Sequence, residues 1–573
     1  MRKSWLQLYA PFLVLALVQA LLIVVAPSRG QSTAELSSGS ALNGSTESLD
    51  IDGDGVIDPG TGDLATDGLS PGDTSTVVGD AGTDGSGVGG GTTGGTTGGT
   101  GGTAGPAAGD TSHCKGDQQV GILRTAPPCR PVFAGDNGGA THQGVTDKEI
   151  KIVLFSAEPN EQVDAILATQ GLAVDEEVYI DAVNQFVKYI NENYELYGRQ
   201  IVIKRIVGDC PTTPPDYDKC TAAAQQVVKE KPFAVIWITS LYATIFDIWA
   251  RAGIVTLGGS SFDVGFYNRS RPFRYDVAMD GTQAADHIAE YYCKKLAGKP
   301  ADHAGASIHP TIGGRGTKRH LGIVVPEIEA NVLTANRVRD KVDACNGGDP
   351  APVLRTYESN IETATTQTQA TVSALISAKV TTVVCMCDPI APVFLTSGMT
   401  GNGYFPEHVL PGLGLLDYDL LGRLYDKQQM AHAFGPSHLP VLTALDDTDQ
   451  ARVWRATGRQ GHPCGENGCG LPWAWLNLTG VALQMAGPQL NPLTFERGLL
   501  QDLPDLSGGV EAATITFGPN DYTGIGDVKE VYWDPNAPSK VDGKAGAYIP
   551  LNGGQRYPLG QWTAGLGGIP VRP

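Results

Sequence analysis

The chain has 573 residues, with 61 acidic and 41 basic side chains and a formal net charge of −20. This excess of negative charge argues against nucleic-acid binding, which needs a basic face to displace the counterions of the phosphate backbone. The first ~140 residues do not resemble a packed core, so we expect about 430 ordered residues.

Residues 1–30 are typical of an export segment. Arg2 and Lys3 precede an uncharged apolar run at 9–26, and small residues up to Gly30 suit cleavage. The run fits either a cleaved signal peptide or an uncleaved signal anchor. We therefore expect an exported protein at the cell surface, in the cell wall or in the periplasm, tethered to the membrane if the segment is retained.

Residues 31–112 are rich in Gly, Ser, Thr and Asp and predict a disordered linker, because such a composition buries too little apolar surface to fold. Inside it lies a candidate calcium loop with Gly55 at its turn position. Its carboxylates are Asp50, Asp52, Asp54 and Asp58. Thr61 replaces the bidentate Glu of an EF-hand, and the alternative is a merely acidic linker. Apart from this calcium ion, no cofactor is expected.

Ten cysteines, an even number in an exported chain, predict disulfides. Three pairs are close in sequence: Cys114 with Cys129 in a lead-in at 113–143, Cys210 with Cys220, and Cys464 with Cys469. A metal site at the last pair would use His462, but a second Cys/His pair at zinc spacing is missing. The pattern indicates no pairing for Cys293, Cys345, Cys385 and Cys387.

The ordered part of the chain begins with an alternation of strands and helices. Strands are predicted at 150–155, 201–207, 233–238 and 254–257, and helices at 176–193 and 243–252. Such alternation is typical of βαβ units and therefore of a parallel sheet covered by helices on both faces.

A second alternation follows a Gly/Pro/His-rich interval at 298–319. A helix at 283–296 precedes the interval. After it, helices are predicted at 329–344, 361–377 and 419–425 and after Pro472, and strands at 321–325, 353–357, 382–386, 409–416, 431–434, 512–517 and 529–533. Two such blocks with a crossing segment between them predict two similar lobes.

In open parallel sheets, ligands bind at the carboxyl ends of the strands. Glu158, Thr239, Ser240, Ser260 and Ser261 follow predicted strands of the first block. Thr239 and Ser240 open a helix, where they can bind an anion or simply cap the helix. Ser260 and Ser261 fit either ligand contact or a turn.

Four further residues are candidates for ligand contact. Trp237 ends a strand and belongs to the core or to the wall of the cleft. Glu327, Asp388 and Asp417 follow strands of the second block, where they are ligand contacts or solvated loop acids. The nucleophile elbow of hydrolases, the His-Glu-x-x-His motif and a phosphate-binding glycine loop are all missing, so we expect no enzymatic activity.

Five stretches occur in an order that resembles one known family: 144–152, 182–208, 252–261, 274–281 and 424–434. The resemblance covers about residues 144–535. It is to the type I periplasmic-binding-protein fold, in the branch of Leu/Ile/Val receptors of ABC transporters. It implies two Rossmann-like α/β lobes joined by a multi-strand hinge, a small ligand in the cleft between them, and ABC permease subunits as partners.

The resemblance also implies roles for individual residues. Thr239 and Ser240 map onto the loop that holds the ligand carboxylate, and Ser260 and Ser261 onto the next Ser/Thr pair. The aromatic residue that follows the first strand of the second lobe in amino-acid receptors is absent, since Pro326 and Glu327 stand there. The chain therefore departs from the family where an amino-acid ligand would be recognised.

The predicted organisation assigns 144–280 to the first lobe, 281–435 to the second, and 436–573 to a return to the first lobe, a hinge strand and a tail. We predict an extracytoplasmic solute-binding protein of an ABC-type importer that captures a small polar or carboxylated, amino-acid-like ligand. The alternative is a surface-tethered sensing or adhesive module of the same fold.

Overall fold

The structure is a computed structural model that describes residues 109–237, 243–258, 262–345, 347–500, 515–565 and 567–572. The export segment and the candidate calcium loop lie outside these ranges, as does most of the linker. Within the described part of the chain, none of the helices is both long and apolar enough to cross a bilayer.

The first lobe is built on a five-stranded parallel sheet with the order β2-β1-β3-β4-β5. Its strands are β1 (Glu149–Ala157), β2 (Gln200–Gly208), β3 (Ala234–Trp237), β4 (Val255–Leu257) and β5 (Arg274–Tyr275). Ile152 and Phe155 of the inner strand β1 are fully buried. Strands of a parallel sheet are covered on both faces, which is why β1 is a nearly continuous apolar run.

Helices pack on both faces of this sheet. They are α1 (Glu161–Ala168), α2 (Glu176–Asn193), α3 (Tyr217–Lys229), α4 (Ala243–Arg251) and α5 (Val264–Arg269). In α2, Val183, Phe186 and Ile190 form one buried stripe at helical spacing. The Asp175 side chain accepts a hydrogen bond from the Glu177 amide and caps the start of α2.

The second lobe is built on an eight-stranded sheet with the order β14-β13-β12-β11-β10-β8-β9, with β15 beside β13. Its strands are β8 (Leu321–Pro326), β9 (Val353–Tyr357), β10 (Thr382–Cys385), β11 (Glu407–Val409), β12 (Ala433–Ser437), β13 (Asp527–Pro538), β14 (Ala545–Pro550) and β15 (Arg556–Pro558). Strands β8 to β12 are parallel, whereas β13 pairs antiparallel with its neighbours.

The helices of the second lobe are α6 (Gly281–Tyr291), α7 (Glu329–Cys345), α8 (Ala364–Ser377), α9 (Ala391–Gly401), α10 (Asp419–Gly422) and α11 (Lys427–Met430). A π-helical turn (Tyr292–Leu296) extends α6. A small antiparallel pair, β6 (Ser307–His309) and β7 (Gly313–Gly314), occupies the interval that is rich in Gly, Pro and His.

After β12 the chain returns to the first lobe as α12 (Asp449–Ala456), α13 (Gly470–Ala486) and α14 (Pro492–Leu500). Trp473 packs edge-on against Phe186 with ring centroids 5.3 Å apart, and Phe495 lies 5.7 Å from Phe233. The chain then crosses again to add β13, β14 and β15 to the second sheet. Crossing segments therefore follow β5, follow β12 and precede β13.

The structure corrects the predicted strand at 409–416. Strand β11 ends at Val409, and the following residues turn through positive φ at Gly412 (65°), Gly414 (64°) and Leu415 (59°). Pro411 lacks an amide hydrogen for a strand ladder, so the apolar run is buried as a loop instead. Helix α1 was not predicted: it has eight residues, and Val163, Ile166 and Leu167 supply only one turn of apolar spacing.

A fully buried ion pair ties the core of the second lobe together. Arg319 and Glu407 are both 0% exposed, and the guanidinium donates to both carboxylate oxygens at 2.9–3.0 Å. Arg319 also donates to two backbone carbonyls, and Glu407 accepts from Thr382 and from the His303 amide. Such a pair is retained in a core only when every polar atom finds a partner.

We expect Glu407→Gln to lower the free energy of unfolding by about 3–5 kcal/mol, because it leaves the Arg319 charge buried without a counter-ion. Urea denaturation followed by circular dichroism measures the loss. Glu192→Gln is the matched control, since Glu192 pairs with Lys188 at the exposed surface and its loss should cost at most ~0.5 kcal/mol. Equal effects of the two substitutions would contradict the prediction.

Candidate functional site between the two lobes

The carboxyl ends of the two sheets face each other. Thr213 lies after β2, at the edge of the first sheet, and Ile361 lies after β9, at the edge of the second. The Ile361 amide donates to Thr213 Oγ1 at 2.9 Å. Because parallel strands end at a common edge, the segments that follow them border one interlobe cleft.

The segment that contains α1 closes one side of this cleft. Leu167 and Leu172 come from the first lobe but pack against apolar clusters of the second. Asn467 Nδ2 donates to the Leu172 carbonyl at 3.0 Å, and the neighbouring Glu466 pairs with Lys544 of the second lobe at 2.8 Å. The two lobes are therefore in contact through apolar and charged groups beside the cleft.

Asp388 organises the second-lobe side of the cleft. Its Oδ1 accepts from the Ile390 and Ala391 amides at 2.9 and 3.0 Å, and its Oδ2 accepts from the Tyr357 hydroxyl at 2.7 Å. Burial raises the pKa of Tyr357 well above its usual range, and the Asp388 charge adds to the shift. Each carboxylate oxygen can accept two hydrogen bonds, so Oδ2 retains capacity for a ligand donor.

Asp417 is a second acid of the same region. Its side chain is 3% exposed, and neither carboxylate oxygen has a hydrogen-bond partner within the described ranges. Tyr425 lies near both acids: burial raises its pKa, and the charges of Asp388 and Asp417 raise it further. The structure thus brings the two predicted acids together around one tyrosine.

Basic groups also face Asp417. Burial lowers the pKa of Lys529 to about 7, and the Asp417 charge opposes the shift. Burial also lowers the pKa of His438, and the Asp417 charge opposes that shift. Burial lowers the pKa of Arg556, where the Asp527 charge is the main opposing effect and the Asp417 charge a smaller one. Lys529 Nζ donates to Ser437 Oγ and to the Leu439 carbonyl at 2.7 and 2.6 Å, so these bases hold the crossing segment that leaves β12.

Three hydroxyl groups near the strand ends are buried without a hydrogen-bond partner in the described part of the chain: Ser156 Oγ, Tyr179 Oη and Ser359 Oγ. Ser156 precedes the end of β1, Tyr179 is in the first turn of α2, and Ser359 follows β9. Burial raises the pKa of Tyr179. Buried polar groups normally have a partner, so these hydroxyls are available to a ligand.

Sequence reasoning did not single out Tyr179 and Ser359 as site residues. Ser359 could have been found, because it follows a predicted strand in the same way as Glu327 and Asp388 do. Tyr179 could not, because its position in the apolar pattern of α2 is that of a core residue.

Of the remaining predicted site residues, some lie in the described part of the chain and the others lie outside it. Glu158 and Glu327 are exposed, and their amides bond to Gly208 O and Tyr357 O of neighbouring strands. Trp237 ends β3, where its backbone pairs with Phe155. Thr239, Ser240, Ser260 and Ser261 lie outside the described residues, so their ligand contacts stay predictions.

Five disulfides are present. Three are the pairs that sequence spacing predicted: Cys114–Cys129, Cys210–Cys220 and Cys464–Cys469. The other two are Cys293–Cys345, which joins the π-helical turn to the end of α7, and Cys385–Cys387 at the end of β10. The last pair lies directly before Asp388.

Two crossing segments pair with each other at the hinge. The Asp276 amide donates to Tyr522 O at 3.2 Å, and the Gly524 amide donates to Asp276 O at 2.9 Å. Asp280 caps α6 by accepting from the Gln283 amide at 2.7 Å. Burial raises the pKa of Asp280 to about 6; its backbone hydrogen bonds oppose the shift, and the Asp521 charge adds to it.

The chain forms two α/β lobes that are joined by crossing segments. Polar groups lie at the facing strand ends of the two sheets, so the fold has a cleft between its lobes. Solved ABC-transporter binding proteins have similar structures. One from R. palustris, in complex with 4-hydroxybenzoate, is 12% identical over 72% of this chain and 99% of its own, with a TM-score of 0.50. One from Desulfitobacterium hafniense, in complex with Leu, is 15% identical over 70% and 100%, with a TM-score of 0.46.

A fatty acid ABC transporter substrate-binding protein from Thermomonospora curvata is 10% identical over 73% of this chain and 96% of its own, with a TM-score of 0.48. No family model and no curated protein matches the sequence. At these identities the likeness is one of fold. The chain has the type I periplasmic binding fold, as the resemblance implied.

We expect Asp280→Asn to change the pH dependence of stability. In the folded chain the pKa of Asp280 is raised from its ordinary value of 3.8 to about 6. The folded chain therefore keeps this proton at a pH where the unfolded chain has lost it. The contribution of Asp280 to stability is present at low pH and is lost as the pH rises toward about 6. Asn keeps the cap but carries no charge. Relative to wild type, the variant should gain up to ~3 kcal/mol of unfolding free energy between about pH 4 and pH 7.

Urea denaturation at several pH values measures this difference. Asp216→Asn, which alters the cap of α3 in the same way, controls for the chemistry of the substitution. A difference between Asp280→Asn and wild type that stays constant across the pH range would show that the Asp280 carboxylate does not titrate as described.

Proposed function

We propose that this chain is an extracytoplasmic solute-binding protein that captures a small polar or carboxylated, amino-acid-like ligand in the interlobe cleft and presents it to an ABC-type importer. The observation that carries the proposal is that both lobes have buried polar groups without a hydrogen-bond partner in the described part of the chain: Ser156, Tyr179, Ser359 and Asp417. Leaving a buried hydroxyl or carboxylate unsatisfied costs about 1–3 kcal/mol, which a ligand that bonds to it would recover.

The two lobes offer different chemistry to such a ligand. On the first lobe, Ser156 and Tyr179 present hydroxyls, and the segments after β3 and β4 contain the serines and threonine that suit a carboxylate. On the second lobe, Asp388 and Asp417 present negative charge to a ligand cation. A zwitterion or a carboxylic acid with a distal hydrogen-bond donor fits this polarity.

Ligand binding is tested by thermal unfolding against a panel of leucine, other amino acids, 4-hydroxybenzoate, other aromatic acids and fatty acids. A bound compound at 100 times its dissociation constant adds ~2.7 kcal/mol of stability and therefore raises the melting temperature. A panel with no stabilising compound would contradict the proposal and favour a sensing or adhesive module that recognises something larger.

We expect Ser156→Ala and Ser359→Ala, one from each lobe, each to weaken binding of the stabilising compound by about 5- to 30-fold, because each removes a buried hydrogen bond worth about 1–2 kcal/mol. Isothermal titration calorimetry measures the dissociation constants. Ser373→Ala, an exposed position on α8, is the matched control and should bind like wild type. If only one lobe's variant weakens binding, the ligand does not bridge the cleft.

Transport and sensing are separated in cells. For an importer, deletion of the gene abolishes uptake of the radiolabelled compound that the purified protein binds, and wild type restores it. Unchanged uptake in the deletion strain would contradict the transport role and leave the sensing alternative.

A further inference from the structure

A disulfide lies at the strand end from which Asp388 leaves the second sheet. Cys385 is the last residue of β10, and it bonds to Cys387 across one intervening residue. On the side of β11, the strand ladder ends at the pair Val384–Val409. On the side of β8, the Met386 amide still donates to Val324 O at 2.8 Å. The backbone before Asp388 therefore has sheet support on one side, and the disulfide adds a second constraint.

The backbone of Cys387 approaches the loop that contains Asp417. A Cβ placed on Gly414 would lie 3.0 Å from the Cys387 carbonyl oxygen, and Gly414 has a φ of +64°. Only glycine fits this close approach without strain. Cys387 is 5% exposed, so the contact is part of the packed core. The backbone of Cys387, which directly precedes Asp388, is thus packed against the turn that leads to Asp417.

The pairing of these cysteines contributes little to global stability. A disulfide stabilises mainly by restricting the unfolded chain, and its effect grows with the length of the closed loop. The sequence separation is 2 for Cys385–Cys387 but 52 for Cys293–Cys345. The effect of the shorter bridge is therefore local.

We propose that the Cys385–Cys387 disulfide is a positioning element of the ligand site. It fixes the backbone that presents Asp388 to the cleft and supports the Gly414 turn that leads to Asp417. Its consequence for affinity rests on the proposed ligand-binding function, whereas its effect on the geometry of Asp388 does not.

The first test uses the ligand-free protein. Asp388 accepts hydrogen bonds from the Ile390 and Ala391 amides, so hydrogen exchange at these two amides reports its position. In C385A/C387A, exchange at both should be about tenfold faster than in wild type and approach that of D388A. C293A/C345A should exchange at the wild-type rate there.

Wild-type protection of these two amides in C385A/C387A would overturn the proposal. If that variant does not fold, C385V/C387V refills the volume of the sulfur atoms and takes its place. Wild type treated with a dithiol gives a further measurement. In this reaction the dithiol is oxidised to a disulfide, and Cys385 and Cys387 are each reduced to a thiol. Alkylation followed by mass spectrometry identifies the molecules in which only this bridge has opened.

The second test separates positioning from general destabilisation. With leucine or 4-hydroxybenzoate, whichever raises the wild-type melting temperature, C385A/C387A should bind about tenfold more weakly, and C293A/C345A should bind like wild type. In a D388N background, loss of the bridge should weaken binding by much less than tenfold, because most of its effect acts through the Asp388 carboxylate. A fully additive loss in that background would overturn the proposal. If neither compound binds, the proposed function fails, and hydrogen exchange still decides the positioning role.

Discussion

The pairing of Asp276 with Tyr522 and Gly524 is the interaction on which the arrangement of the two lobes depends. The sheets themselves share no strand, so their relative placement is set by crossing segments and by side-chain contacts between the lobes. Asp280 lies a few residues beyond this pairing and caps α6, the first helix of the second lobe. The hinge and the start of the second lobe are therefore one hydrogen-bonded unit, and a change in the Asp280 charge acts on both.

Buried polar groups of the described residues are of two kinds, those with hydrogen-bond partners and those without. In the core of the second lobe, Arg319 and Glu407 pair with each other and with neighbouring backbone and hydroxyl groups, and Lys295 pairs with Glu530 at 2.8 Å. Other buried polar atoms have no partner within the described residues, and they include Ser156, Tyr179, Ser359 and Asp417. Since an unsatisfied group is costly in a medium of low polarity, those beside the strand ends are the candidates for ligand contact.

The backbone helps to set the positions of the two acids of the second lobe, Asp388 and Asp417. Asp388 follows a strand whose end is closed by a disulfide, and Asp417 follows a turn in which Gly414 lies against the backbone carbonyl of Cys387. Both carboxylates therefore follow backbone that is locally constrained. Sites supported in this way lose little conformational freedom when a ligand binds, because the groups are already in place.

The fold class and most of the elements could be predicted from the amino acids alone, because apolar periodicity reports which face of a strand or helix is buried. Helix α2 and strand β9 were predicted to the residue, and three local disulfides followed from short spacing around turns. Candidate acids were found because parallel strands end at a common edge. Helix α1 was missed, since its eight residues carry only one turn of apolar spacing.

Which candidates come together could be seen only in the folded chain. The charges of Asp388 and Asp417 both raise the pKa of Tyr425, whereas Glu158 and Glu327 are exposed, although all four residues follow strands. The Cys293–Cys345 and Cys385–Cys387 pairings and the addition of β13 to the second sheet were likewise unreadable from spacing. Each depends on contacts between residues distant in sequence or on the local path of the backbone. A one-dimensional pattern records burial, but it does not record which buried groups face one another.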